Sequence, residues 1–240
     1  MDKNIIMHLA NKLHFKAKWK TSFLNSTCEP LFSFFTKHNE GSSDFNRVEM
    51  MRFNIIRGQK LNFAMNSYTK ICEFPFADNC SFFVLLPDNM KALESNLNAK
   101  SFESLLSCME PRSISSLFPR FSLKGKMDVT KILKNLGFKK AFEPSPYGLA
   151  IRESISFSQI RIDNTGADSC TSNHFVLTHE QPKIRKVIGH AKFNEDMYEQ
   201  DFNCDKPFIF VIKDTKTGLI LFMGKLMVPA FEIKNIVNII

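Results

Sequence analysis

Residues 160–172, IRIDNTGADSCTS, decide the fold that this sequence predicts. The stretch opens with the alternation of a strand, in which Ile160 and Ile162 face one way and charged residues face the other. It then passes through Gly166 into a run of small and short polar residues. Because glycine adopts positive φ at little cost, it is the residue type that lets a strand leave a sheet.

The residues after the glycine are small enough to enter an existing sheet between two strands. On a two-residue period, one face carries Ala167, Ser169, Thr171 and Asn173, and the other carries Asp168, Cys170, Ser172 and His174. The first face is small enough to bury, and the second largely tolerates solvent. The pattern suits either an exposed loop or an additional central strand, and an ordinary Gly/Ser/Thr surface loop is the alternative interpretation.

The run from Ile162 to Ser169 resembles the hinge of the serpins, in which an acidic-rich turn and a glycine precede small residues. Matches elsewhere in the chain follow the serpin order. Asn11 lies where the third strand of the large serpin sheet carries an asparagine, and the segment into which that strand runs is matched by Phe15, Lys16, Trp19 and Phe23. The most specific matches are KPFIF at 206–210 and LFMGK at 221–225. The resemblance implies an α+β serpin fold, with mixed β-sheets, flanking helices and an exposed reactive-centre loop.

The resemblance also implies a partial domain, because the sequence begins at the third strand of the large sheet. We expect one serpin domain at 1–229, truncated at its N-terminal side, and an apolar tail at 230–240. Without the preceding strands the sheet would have a bare apolar edge. This sequence departs from the serpin pattern at Asn164, where glutamate is common, and at Arg161, where an acidic residue is usual.

Hydrophobic periodicity predicts the remaining elements. We expect strands at 5–15 (covered on both faces), 32–35, 48–51, 60–68, 71–76, 81–87, 117–123, 207–212 and 219–225, and a helical face at 93–108. A second helix is expected to place Val129, Ile132, Leu133 and Leu136 in the core, with Asp128 as its cap and Gly137 at its end.

Composition excludes several classes of protein. The 240 residues have 44% hydrophobic content and a net charge of +8, typical of a globular chain that attracts acidic partners. The six cysteines are widely spaced without a CxxC pair, so we expect buried or idle thiols rather than a metal site or a disulfide framework. No run is long enough to cross a bilayer, and no secretory signal is evident. The serpin resemblance slightly favours the extracellular space over the cytoplasm, and glycosylation sequons at Asn25 and Asn79 agree with it.

No enzyme motif is present: HExxH, GxSxG, the P-loop and GxGxxG are all missing. We therefore expect neither an enzyme nor a cofactor or metal. Basic clusters at Lys183–Lys186 and Lys124–Lys126 suit a polyanion such as heparin, with solvated loop charge as the alternative. No specific nucleic acid and no membrane is expected as a partner.

The serpin resemblance implies an inhibitor that a target serine protease attacks as a suicide substrate. The hinge would be Gly166–Ser172, and the sheet-opening region would include Asn11, Trp19 and Asn164. The stretch from 166 to 207 is longer than serpins need, which leaves the scissile bond open. Counting from the hinge gives Glu180–Gln181, and basic alternatives that would suit a trypsin-like target are Arg185, Lys186 and Lys192. The alternatives are a non-inhibitory binding or carrier protein and an inactive serpin fragment.

Overall fold

A computed structural model describes residues 11–21, 28–38, 42–53, 60–143, 154–173 and 200–229. The strands in these ranges are β1 (Asn11–Lys18), β2 (Cys28–His38), β3 (Ser42–Phe53), β4 (Leu61–Met65), β5 (Thr69–Pro75), β6 (Cys80–Pro87), β7 (Glu110–Arg112), β8 (Ile114–Pro119), β9 (Phe121–Asp128), β10 (Ile155–Asp163), β11 (Gly166–Asn173), β12 (Gln200–Asn203), β13 (Phe208–Asp214) and β14 (Ile220–Leu226). The helices are α1 (Met90–Asn96), α2 (Ala99–Ser107), α3 (Thr130–Asn135) and a 3₁₀ turn at Lys139–Phe142.

The strands form three sheets. A four-stranded sheet has the order β1-β11-β10-β9, and a six-stranded sheet has the order β14-β13-β6-β5-β4-β7. The third sheet, β12-β8-β3-β2, contains the parallel pair β12–β8. Mixed sheets with flanking helices confirm the predicted α+β fold.

Phenylalanine rings form much of the main core. Phe118 and Phe121 contact Phe208, with ring centroids 5.5 and 6.1 Å away, and Phe121 also lies 5.6 Å from Phe210. Because these residues belong to β8, β9 and β13, one aromatic cluster joins members of all three sheets. The heavy use of phenylalanine in the sequence (25 residues) is consistent with sheets that are held together by aromatic packing.

Helices α1 and α2 cover the other face of the six-stranded sheet. They bury Leu93, Phe102 and Leu105 in a second cluster with residues of β6 and β13. The predicted helical face at 93–108 is therefore confirmed, but as two helices. Asn98 separates them because its side chain accepts a hydrogen bond from Ser101 N (3.0 Å), which begins α2 with a capping box.

The predicted burial of α3 is wrong. Leu136 is 69% exposed, Ile132 and Phe138 are also exposed, and α3 has no buried residue. The periodicity located the helix, but it could not show whether another element covers the apolar stripe. Asp128 does contribute at the start of α3, since its Oδ1 accepts from Thr130 N at 2.9 Å, although the residue at the cap position is Val129.

The first strand also differs from its prediction. Within the described residues β1 begins at Asn11, and residues 5–10 of the expected strand lie outside them. The strand is not covered on both faces, because His14, Lys16 and Lys18 are exposed on one face, and Leu13 on the other face is 43% exposed. The predicted strand at 117–123 is divided between β8 and β9, which belong to different sheets. The predicted strands at 60–68 and 71–76 are confirmed as the antiparallel pair β4–β5, and those at 207–212 and 219–225 as the antiparallel pair β13–β14.

Candidate functional site

Strand β11 lies between β1 and β10 and is antiparallel to both. In register, Ala167 is opposite Ala17 on β1 and Ile162 on β10. The segment that the sequence allowed to be either a loop or an additional strand is thus a central strand of the four-stranded sheet in this structure.

The side chains of β11 follow the two-residue period. Ala167 and Ser169 are buried at 2% and 1% exposure, and Thr171 is half buried on the same face. Asp168 is exposed on the opposite face, where Cys170 is partly covered. Ser172 is part of the strand, but its side chain lies outside the description. The buried face therefore contributes only small groups to the core.

Gly166 is required by the approach of β1. A Cβ atom at this position would lie 1.9 Å from the carbonyl oxygen of Ala17 and 3.0 Å from Cα of Lys18. Any side chain here would push β11 away from its neighbour. From the sequence, we interpreted Gly166 as the residue that lets the strand leave the sheet. In the structure it is the first residue of β11, where the neighbouring strand leaves no room for a side chain.

Trp19 holds the turn between β10 and β11 against the core. Its Nε1 donates a hydrogen bond to the carbonyl oxygen of Asp163 (2.8 Å), and its backbone N donates to the oxygen of Thr165 (3.3 Å). The ring stacks on Phe76, with centroids 4.6 Å apart. Within the turn, Asp163 Oδ1 accepts from Thr165 N at 2.8 Å. Trp19 thus couples the position of this turn to the packing of the protein interior.

Two other residues of the predicted sheet-opening region lie near the same strand. Asn164 is half buried in the turn that Trp19 contacts. Asn11 is opposite Asn173 at the far end of the β1–β11 ladder, and its side chain lies outside the description. The structure brings Trp19 and Asn164 together and places Asn11 at the other end of the ladder.

Charged groups on the exposed face of the sheet were not anticipated as part of the site. His14 Nε2 lies 3.2 Å from Asp168 Oδ1, and Arg161 Nε lies 3.3 Å from Asp163 Oδ2. Lys16 and Arg161 are the two residues directly opposite Asp168 on the neighbouring strands. These pairs depend on the register between distant segments, which single-strand periodicity does not supply.

Several predicted residues lie outside the described ranges. These are the scissile-bond candidates Glu180, Gln181, Arg185, Lys186 and Lys192, and with them the basic cluster Lys183–Lys186. Lys124 and Lys126 of the other basic cluster lie on β9, where Lys126 Nζ is 5.5 Å from the centre of the Phe157 ring. In the described part of the chain no helix is long and apolar enough to cross a membrane, and no cluster of His, Cys, Asp or Glu could hold a metal.

The cysteines described by the structure are free thiols in different environments. Cys72 and Cys204 are fully buried, and burial raises the pKa of both thiols well above the ordinary value. Cys108 is exposed, and Cys80 is intermediate. A buried thiol with a raised pKa is a poor nucleophile, so Cys72 and Cys204 are chemically inert packing residues.

A family model described as "Serpin (serine protease inhibitor)" matches residues 1–229. This chain belongs to the serpin family. Among its curated relatives, ovalbumin of Gallus gallus is 26% identical over 95% of this chain and 57% of its own length. A serpin-like protein of Methanosarcina acetivorans is 28% identical over 93% of this chain and 50% of its own length. This serpin thus spans about half the length of the curated relatives that it matches.

Solved serpin structures share the fold. A loop-inserted structure of a cleaved ovalbumin mutant has a TM-score of 0.71 at 24% identity, covering 92% of this serpin and 55% of that chain. Thyroxine-binding globulin in complex with thyroxine has a TM-score of 0.65 at 16% identity, covering 91% and 55%. At these identities the likeness shows the fold alone.

Proposed function

We propose that this serpin inhibits a serine-type endopeptidase as a suicide substrate, with Gly166–Ser172 as the moving hinge. The observation that supports this most directly is the position of β11 between β1 and β10. In the proposed reaction, the protease serine attacks the scissile carbonyl, the carbonyl carbon forms an ester with the serine, and the downstream amine leaves. Entry of the hinge into the four-stranded sheet then moves the ester-linked protease.

The backbone ladder provides the driving force in this proposal. As a central strand, β11 pairs with β1 from Gly166 to Asn173 and with β10 from Gly166 to Ser172. Each backbone hydrogen bond contributes a net of about 0.5–1.5 kcal/mol, so a strand with two partners gains several kcal/mol over one with a single partner. The small residues Ala167 and Ser169 let these bonds form without displacing the core.

Displacement of the bound protease explains why its ester would persist. Hydrolysis of the ester needs a protease serine, a base and oxyanion donors in register with the carbonyl. A misplacement of about 1 Å is enough to slow such a step about a hundredfold. A hinge that enters the sheet quickly would therefore trap the ester, and a slow one would release a cleaved inhibitor and an active protease.

A binding or carrier function is the second candidate. A cavity of about 260 Å³ between α2 and the six-stranded sheet is lined by Asn62, Glu73, Phe83, Leu106 and Lys213, among others. Small-molecule pockets are usually about 300–1,000 Å³. The cavity supports this candidate less strongly than β11 supports inhibition, because its volume is below that range.

The test is a gel of the purified protein after mixing with trypsin-like, chymotrypsin-like and elastase-like proteases. We expect an SDS-resistant band at the summed mass with at least one of them, and sequencing of the released peptide identifies the scissile bond. Clean cleavage without such a band would rule out inhibition by this chain and leave the carrier or an inactive fragment.

The partner predictions extend this proposal. A polyanion such as heparin would contact Lys124 and Lys126, and retention on immobilised heparin that falls with salt would support it. The target protease, an extracellular location and the division into a domain at 1–229 and a tail at 230–240 stay predictions.

A further inference from the structure

Asp168 faces positive charge from both neighbouring strands. In register it is opposite Lys16 on β1 and Arg161 on β10, and its Oδ1 lies 3.2 Å from His14 Nε2. The sequence alternates so that Lys16, Lys18 and His14 occupy the exposed face of β1. A second carboxylate near this group, that of Asp163 on β10, pairs with Arg161. Asp168 therefore places a negative charge between the basic face of β1 and Arg161 of β10.

The two states of the proposed hinge differ in this contact. When β11 is absent from the sheet, the cations of β1 and β10 lack the carboxylate of Asp168 between them. Like charges on neighbouring strands are destabilising, whereas opposite charges on directly facing residues stabilise a sheet. The charge of Asp168 thus favours the sheet that contains β11 over the sheet without it.

We propose that Asp168 is a positioning residue whose charge stabilises β11 between β1 and β10. The inference rests on the proposed function, in which β11 is the strand that moves. It assigns different roles to the two faces of one strand: Ala167 and Ser169 permit entry because they are small, and Asp168 favours it through charge. Because Asp168 is exposed, its replacement leaves the core packing untouched.

Hydrogen–deuterium exchange of the intact protein tests the role without any protease. Exchange of the amides at 166–173 reports how often β11 leaves the sheet. The variants are Asp168→Asn, which removes the charge at similar size, and Asp168→Lys, which reverses it. Glu110→Gln is the matched control, because this exposed carboxylate pairs with Arg112 on β7, away from the four-stranded sheet.

At low salt we expect Asp168→Asn to raise the exchange rate of these amides about two- to fivefold, as for the loss of exposed ion pairs. Asp168→Lys should raise it further, and Lys16→Glu combined with Asp168→Lys should restore part of the protection. In about 1 M salt the differences should shrink, since the Debye length falls to about 3 Å. Glu110→Gln should leave exchange at 166–173 unchanged.

Equal exchange in wild type and Asp168→Asn would overturn the inference. So would equal effects of Asn and Lys that do not respond to salt, because these indicate a role of shape alone. Failure of the proposed function has a different signature. Proteases would then cleave the chain without forming a stable complex, whatever the charge dependence of exchange.

Discussion

Strands β11 and β13 are both central strands, yet they use different means to stay in place. β11 has β1 and β10 as neighbours, and β13 has β14 and β6. β13 buries large side chains on both faces, including Phe208, Ile209, Phe210 and Val211. The described side chains of β11 bury only Ala167 and Ser169 to a similar degree.

The difference separates two contributions to sheet stability. Both strands have a backbone ladder on each side, but burial of a large apolar side chain adds about 1.5–3 kcal/mol per residue. Several large buried side chains of β13 make this contribution, so we expect β13 to stay in its sheet permanently. β11 has a backbone ladder on both sides but buries only small side chains, so the proposed entry of this strand would cost the core little. A strand of short side chains is what a moving element needs.

The largest effect is expected from Phe210→Ala in β13. The ring stacks on Phe82 with centroids 5.5 Å apart and occupies the space above Gly224, where a Cβ would lie 2.4 Å from its Cζ. We expect the free energy of unfolding in urea to fall by about 3–5 kcal/mol. The matched control is Phe138→Ala, because that ring is exposed and its removal should change stability little. Equal losses in both variants would contradict the permanent role of β13.

The next effect is expected from Ala167→Arg in β11. A long cation on the buried face cannot be accommodated without an unpaired buried charge, which costs several kcal/mol. We expect β11 to leave the sheet while the rest of the protein stays folded, with fast hydrogen exchange at 166–173 and cleavage by a target protease without a stable complex. Gln159→Arg is the control, since it adds the same side chain on an exposed position of β10. Retained complex formation by Ala167→Arg would show that entry of this face is not required.

A smaller effect is expected from Trp19→Phe. Phenylalanine keeps an aromatic ring against Phe76 but loses the donor to the oxygen of Asp163. The lost hydrogen bond should lower the free energy of unfolding by about 1 kcal/mol, and hydrogen exchange at the turn 163–166 should rise with it. A loss confined to global stability, with the turn unaffected, would contradict a link between Trp19 and the hinge.

Sequence periodicity predicted the elements whose pattern is local. The strands β6, β13 and β14 were identified from their apolar runs, because such a signal needs no knowledge of the partner strand. The two faces of β11 were also predicted, since they follow from a period of two residues. The position of β11 between β1 and β10 was accessible only through the serpin resemblance.

Features that depend on a distant partner were missed or wrong. The apolar stripe of α3 predicted a buried helix, but Leu136 is exposed. The prediction failed because the pattern does not show whether a neighbouring element covers the stripe. The pairing of Asp168 with His14 joins residues 154 positions apart, and no local pattern indicates it. Leu13 is also exposed, although the apolar residues of 5–15 predicted a strand covered on both faces.

The smallest effect is expected from Asp214→Asn, in the turn that closes the permanent hairpin. The carboxylate accepts hydrogen bonds from the backbone N of Lys216 (2.8 Å) and Thr217 (3.3 Å), which lower its pKa. A folded-state pKa below the ordinary value of about 3.9 gives stability that is present above that value and is lost as the pH falls through the lowered pKa. We therefore expect the variant to melt slightly earlier than wild type at pH 7 and to converge with it near pH 2. A difference that persists at pH 2 would show that the turn depends on the shape of the side chain rather than on its charge.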